Sequence, residues 1–253
     1  MNKPIVTPPR PVTTPQAPDG GDRIEQVARA LRDPACARLV RGDAGRRLLA
    51  ALQNVVLWRE DGKPPRSLVV ASASPGEGRT TIATAMAALL AAVEPRMRVL
   101  LVDADPFSGA MARRIPGEGH GQGLFQYLEG REQAVGTLPR RCLLDNLDVV
   151  CAATDDVRRA PRRIVASRLA DFREATEAVY DLVIYDGPAQ AVGAELLTLA
   201  RVIGAVLLVV RYRKPYREQV QRLVGELDLH RIDVVGAVLN RRVLPVPGWL
   251  YRR

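Results

Sequence analysis

Apolar positions along the chain fall into two kinds of pattern that alternate with one another. Continuous β-branched and leucine-rich runs occur at Ser67–Ser72, 98–102, 180–188, 204–210 and Asp233–Asn240. Short unbroken runs of this kind are what strands buried on both faces of a parallel sheet look like. Between them lie segments with helical composition or spacing. Ile24, Val27 and Leu31 mark a helix over 23–32, and Leu39, Leu48, Leu49, Leu52, Val55 and Val56 mark another over 34–60. That second run is stopped by Asp61-Gly62-Lys63-Pro64-Pro65. Further helical segments cover 82–93, 161–179 and 216–229. Strands that alternate with helices predict an α/β fold, a doubly wound and mostly parallel sheet joined by right-handed crossovers.

The pattern also divides the chain. Residues 1–21 are rich in Pro, Thr and Gly and are expected to form a disordered, partly extended tail. Residues 22–253 form one domain, in which 22–62 are N-terminal helices outside the minimal nucleotide fold, 66–242 the core and 243–253 a C-terminal tail. The helices that precede the first core strand are candidates for self-association.

The most informative stretch runs from Ser67 to Thr81. Its apolar strand breaks at Ala73-Ser74-Pro75-Gly76-Glu77-Gly78 and resumes with helical composition after Arg79-Thr80-Thr81. Strand, tight loop and helix in that order are the context a phosphate-binding loop needs. Gly76 and Gly78 allow the backbone to turn sharply and bring successive N–H groups near a polyphosphate, and the helix start adds its positive dipole end. Thr80 is placed to offer a hydroxyl to magnesium. Against the pattern G-x-x-x-x-G-K-[ST], Ala73 stands for the first glycine and Arg79 for the lysine. The first change is mild. The second replaces a compact ammonium with a longer planar fork.

Acidic residues then appear where strands end. The run 98–102 leads into Asp103-Ala104-Asp105, and the run that starts at Tyr180 delivers Asp186 before Gly187-Pro188. In open α/β sheets ligands bind outside the carboxyl ends of the strands. Asp186 therefore takes the position of an acid that holds magnesium directly or through water. Asn240 leaves the last strand, where it either contacts a base or serves as a turn residue.

Composition changes this picture little. At 253 residues, 47% hydrophobic and 26% charged, the chain is large enough for one domain with a substantial core. The net charge is +9, with 37 basic against 28 acidic residues, and Lys3, Lys63 and Lys214 are the only lysines. No basic run is interleaved with aromatic residues, so nucleic acid is not an expected partner, whereas an acidic membrane surface is compatible with the charge. Cys36, Cys142 and Cys151 fit neither a C-x-x-C nor a metal spacing and point to a reducing compartment. His120 and His230 have no ligand spacing. The apolar runs 82–93 and 202–210 are too short to span a bilayer, and no signal-peptide region is seen, so a cytoplasmic location is expected.

Five blocks in sequence then carry a resemblance. Ser74-Pro75-Gly76-Glu77-Gly78, Val99-Leu100-Leu101-Val102-Asp103-Ala104-Asp105, Gly123-Leu124-Phe125-Gln126-Tyr127-Leu128-Glu129-Gly130, the stretch from Tyr180 to Pro188, and Gly236-Ala237-Val238-Leu239-Asn240 together resemble the bacterial tyrosine kinases of capsule and exopolysaccharide systems. The match runs from about Asp43 to Arg242. It implies a P-loop NTPase of the SIMIBI type that binds ATP and Mg2+ and phosphorylates its own tyrosines. It also implies a homo-oligomer recruited to the inner face of the plasma membrane by a Wzz-like, membrane-embedded regulator of polysaccharide chain length. The resemblance assigns Gly76, Gly78 and Thr80 to phosphate and magnesium; Ser74, Pro75, Glu77, Arg79 and Thr81 join them as candidate nucleotide-binding residues, and Asn240 stays a candidate base contact or a turn residue. The resemblance places Thr80, Asp103 and Asp186 around the metal, and gives catalytic roles to Asp103, to Arg79 at the lysine position, and to Asp105 as a metal ligand or as base for a tyrosine hydroxyl. Partition and division-site ATPases share the fold, but they carry an extra lysine where this chain has Ser74.

Four features depart from the family pattern. Arg79 replaces the loop lysine, and Pro106-Phe107 replaces the usual Leu-Arg. The Glu-x-x-Arg-x-x-Arg oligomerisation motif falls at Asp43, Arg46 and Leu49, and the C-terminal tyrosine cluster is reduced to Tyr251. Tyr212, Tyr216 and Tyr251 are the candidate phosphorylated residues. Two functions are expected from this mixture: an active autokinase that controls polysaccharide polymerisation and export, or a catalytically weakened relative that acts by docking on the membrane partner.

Overall fold

Each of the five apolar runs forms a strand, and two further strands complete a seven-stranded sheet. The computed structural model describes residues 20–53, 65–108, 110–115, 123–132, 134–138, 140–152, 163–189, 194–212 and 217–241. In chain order the strands are β1 (Ser67–Ser72), β2 (Val99–Asp103), β3 (Arg140–Leu144), β4 (Leu147–Val150), β5 (Leu182–Ala189), β6 (Ala205–Arg211) and β7 (Asp233–Asn240). They lie in the order β3-β4-β2-β5-β1-β6-β7, all parallel except the β3–β4 hairpin at one edge. That hairpin was not anticipated. Arg140, Arg141 and Asp148 interrupt its apolar runs, and strands of five and four residues leave little pattern to read.

The helices are α1 (Gly20–Ala30), α2 (Pro34–Arg41), α3 (Asp43–Leu52), α4 (Arg79–Val93), α5 (Ala110–Arg114), α6 (Leu124–Leu128), α7 (Ala166–Glu177), α8 (Glu195–Ile203) and α9 (Arg217–Leu229). Three boundaries differ from the sequence pattern. The first helix starts at Gly20, inside the stretch expected to be tail, while residues 1–19 lie outside those described. The long helix expected over 34–60 is two helices, because Gly42 adopts an extended conformation between them, and 54–60 are not described. The helix expected over 161–179 begins only at Ala166.

Strand residues alternate between two layers. Leu68, Val70, Leu101 and Ile184 pack with α1 to α4, whereas Val69, Leu100, Val102, Val183 and Tyr185 pack with α6 to α9. Helix α4 is apolar on nearly every side and buried from Ile82 to Ala92, because it lies between the sheet and the N-terminal helices.

The far end of α4 is fastened by polar groups. The Asn146 amide, in the β3–β4 turn, donates to the carbonyls of Ala91 (3.0 Å), Glu94 (3.1 Å) and Met97 (2.8 Å). Its Oδ1 accepts from buried Arg23 of α1 at 2.6 Å, and Arg23 also donates to the Ala91 carbonyl at 3.2 Å. The last carbonyls of a helix have no partner within it, and these side chains supply one. Asn146→Ala is expected to destabilise the protein by about 3 kcal/mol, roughly one for each lost hydrogen bond, with the buried Arg23 left short of an acceptor. Urea unfolding of both proteins at one pH measures the difference.

Candidate functional site

The loop that follows β1 turns through two left-handed glycines, Gly76 at φ 78° and Gly78 at φ 98°. Pro75 and Gly76 are exposed at its tip, while Ser74, Glu77 and Thr80 are buried. Several groups hold the loop closed. The Glu77 carboxylate accepts from the Ser74 N–H (3.1 Å) and from the Arg211 N–H at the end of β6 (3.3 Å). The Ser72 hydroxyl donates to the Ser74 carbonyl at 2.8 Å, and the Ser74 hydroxyl donates to Gln219 of α9. Asn240 donates from Nδ2 to the Glu77 carbonyl at 2.8 Å.

The acids arrive from the other side of β1. Strands β2 and β5 pair in register so that Asp103 lies directly opposite Asp186, and both share the sheet face of Leu101 and Ile184, which α4 covers. Asp103, Asp105 and Asp186 are at most 4% exposed. Asp103 Oδ1 accepts from the Asp105 N–H at 3.3 Å, but Oδ2 has no partner within the protein. Neither oxygen of Asp186 completes a hydrogen bond there, although the Thr80 hydroxyl is near enough to lower its pKa. Burial is the main cause that pushes Asp103 well above the usual carboxylate range, reinforced by Asp186 and Asp105. Burial likewise raises Asp186 to about 6, opposed chiefly by Arg79 and then by Thr80.

Arg79 is the buried cation of this cluster. Its guanidinium donates to the Gly187 carbonyl at 2.7 Å and to Asp105 Oδ2 at 3.2 Å, with the two side chains only 10% and 5% exposed. The other oxygen of Asp105 accepts from the Phe107 N–H at 2.9 Å. Both oxygens of Asp105 are thus engaged, and the arginine side chain runs toward the exit of β5. Thr81 faces elsewhere. Its hydroxyl accepts from Arg114 of α5 at 3.2 Å, and Arg114 also pairs with Asp33 at 3.3 Å.

The loop, apart from Thr81, thus lies beside Asp103 and Asp105 at the end of β2, Asp186 three residues before the end of β5, and Asn240 at the end of β7. Arg114, Arg211, Gln219 and the Gly187 carbonyl belong to the same neighbourhood and were not foreseen. Nothing in the linear pattern marks them, because each reaches the site from an element distant in sequence.

The oxygen-only donor set of Thr80, Asp103 and Asp186 fits a hard divalent cation such as Mg2+, and the unpartnered carboxylate oxygens are the observation that favours one. Among the described residues no group of three or more His, Cys, Asp or Glu converges as a metal-ligand set.

Known proteins share both the sequence and this architecture. No family model matches the chain. A protein named putative tyrosine-protein kinase EpsB, from Ralstonia solanacearum, is 26% identical over 205 residues, which is 81% of this chain but 26% of that protein. Tyrosine-protein kinase CpsD of Streptococcus agalactiae is 25% identical over 183 residues, 71% of this chain and 76% of the relative. Among solved structures, the chimerical protein CapA2B2 superposes with a TM-score of 0.67 at 18% identity, covering 82% of this chain and 90% of that one. The kinase domain of Escherichia coli tyrosine kinase ETK gives 0.63 at 23% identity, covering 81% and 78%. The septum site-determining protein MinD of Pyrococcus horikoshii gives 0.56 at 18% identity, covering 70% of each chain. The fold is that of a P-loop NTPase. On that fold, and over four fifths of its length, this chain is similar in sequence to bacterial proteins named tyrosine kinases.

Proposed function

We propose that this chain binds magnesium ATP at the loop between β1 and α4. On this reading it serves polysaccharide polymerisation and export as a kinase-like protein docked on a membrane chain-length regulator. The observation that carries the nucleotide reading is the buried pair Asp103 and Asp186, in which Asp103 Oδ2 and both Asp186 oxygens lack a partner, facing the start of α4 where Thr80 stands. Three buried carboxylates against one contacting guanidinium leave negative charge that the interior tolerates only with protons or a bound cation. Thr80, Asp103 and Asp186 would hold the metal, and the backbone N–H groups of the loop would face the phosphates. A divalent cation there supplies charge neutralisation for a transferred phosphoryl group.

Two features support the wider assignment. The relatives that match this chain carry tyrosine-kinase names, and no helix among the described residues is long and apolar enough to cross a membrane. Asp43 and Arg46 pair with each other on the exposed side of α3, whose other side packs against α2 and α4.

The degree of activity turns on Arg79. Its guanidinium is committed to Asp105 and to the Gly187 carbonyl, and Asp105 is correspondingly engaged in an ion pair where a free base is needed. This favours slowed phosphoryl transfer over a fully active autokinase, since that reaction depends on positioned charge. Of the candidate tyrosines, Tyr212 donates its N–H to the Asn240 carbonyl at 2.9 Å, while Tyr216 and Tyr251 lie outside the described residues.

Three measurements test the proposal. Magnesium ATP is expected to raise the melting temperature of the protein, by mass action on the folded state, and Asp103→Ala and Asp186→Ala are expected to abolish the magnesium-dependent part of that shift. Undiminished shifts in both variants overturn the metal assignment. Incubation with magnesium ATP and the cytoplasmic peptide of the membrane regulator is expected to give little phosphotyrosine, and Arg79→Lys to increase it at least about tenfold. Equal signal from both proteins means that the arginine does not limit transfer.

The third measurement concerns pH. Asp186 titrates near 6 in the folded protein and near 4 when unfolded, so the folded state binds more protons between these values and stability falls as pH rises through that window. Without metal or nucleotide, Asp186→Asn is expected to be more stable than the original by up to about 3 kcal/mol above pH 6, with the advantage fading toward pH 4. Urea unfolding in EDTA across pH 4 to 7 reads the difference.

A further inference from the structure

The amide of Asn240 sits where a base contact was expected, yet its polar atoms are used on the main chain. Nδ2 donates to the Glu77 carbonyl at 2.8 Å, and Oδ1 accepts from the Arg241 N–H at 2.8 Å. The same side chain lies directly over Gly78: a Cβ there would stand 2.2 Å from Nδ2. Gly78 has φ 98°, so this contact and the left-handed turn both exclude a side chain.

We infer that Asn240 is a positioning residue that braces the phosphate loop from the end of edge strand β7, and that it does not read the base. A trans peptide points its C=O and N–H in opposite directions. Anchoring the Glu77 carbonyl on Asn240 therefore fixes the Gly78 N–H away from β7. The brace is itself held. Asn240 pairs with Arg211 across β6 and β7, and its carbonyl accepts from the Tyr212 N–H at 2.9 Å. One residue earlier in the β6–Tyr212 segment, the Arg211 N–H donates to the Glu77 carboxylate at 3.3 Å, so Glu77 is gripped by backbone on one side and side chain on the other. In the strand order β2-β5-β1-β6-β7 the acids approach the loop from one side of β1 and the brace from the other. The donors of the loop are thereby aimed before any ligand arrives.

This inference rests on the nucleotide reading for its functional consequence, and the experiment separates the two. The full chain, Asn240→Asp and Asn240→Ala are titrated calorimetrically, in magnesium, with ATP, GTP and inorganic triphosphate. Asn240→Asp keeps the volume of the side chain but places a carboxylate against the Glu77 carbonyl. Both variants are expected to weaken all three ligands by a similar factor, roughly tenfold, as the loss of one hydrogen bond implies. In the ligand-free proteins, amide exchange over residues 74–80 is expected to accelerate in both variants while β1 and β5 keep their protection. Weakening confined to ATP, with triphosphate unchanged, assigns Asn240 to the base and overturns the inference. Unaltered exchange in the loop overturns it as well. If the original chain binds none of the three ligands, the nucleotide reading fails, and the exchange comparison alone decides whether the brace exists.

Discussion

The register between β2 and β5 is the constraint on which the site depends. Parallel pairing that sets Val102 against Tyr185 also sets Asp103 against Asp186, one residue further along both strands. Because side chains alternate between faces, both acids then fall on the α4 side, while Val102 and Tyr185 enter the opposite core. A slip of one residue in either strand would send one carboxylate through the sheet and expose the wrong side chains to each core. The two apolar cores therefore fix the position of the charges. That is why a protein interior can hold two carboxylates side by side without protein partners for all of their oxygens.

Arg79 shows how one replacement redistributes charge without altering the fold. A lysine at the start of α4 is a flexible point charge that can fold back over its own loop, whereas a guanidinium is a planar set of donors that seeks oxygen atoms in matching directions. Here it finds one oxygen on Asp105 and one on the backbone of Gly187, the residue after Asp186 in β5. The positive charge stays within the acid cluster and lowers the pKa of Asp186. Phe107, one of the residues that departs from the family pattern, supplies the backbone N–H that occupies the remaining oxygen of Asp105.

The sequence made legible what rests on local pattern. Continuous apolar runs located the five core strands, and the glycines of the loop announced a turn that the backbone adopts with two left-handed residues. Strand-end acids could be placed because strand exits gather at one edge of a parallel sheet. What stayed hidden depends on contacts between distant segments. The β3–β4 hairpin is an edge element whose arginines break its apolar rhythm. The corner at Gly42 was absorbed into one long helical pattern because the apolar spacing resumes after it. The partners of Glu77, Ser74 and Thr81 are Arg211, Gln219 and Arg114, and no spacing rule connects residues that far apart.

The fastening around Asn146 makes the N-terminal helices something other than an appendage. Helix α4 is 15 residues long, a rod of about 22 Å that begins in the phosphate loop and ends among Arg23, Asn146 and the carbonyls they bind. The loop at the front of α4 and helix α1 at its rear are thus joined to the two ends of one packed element.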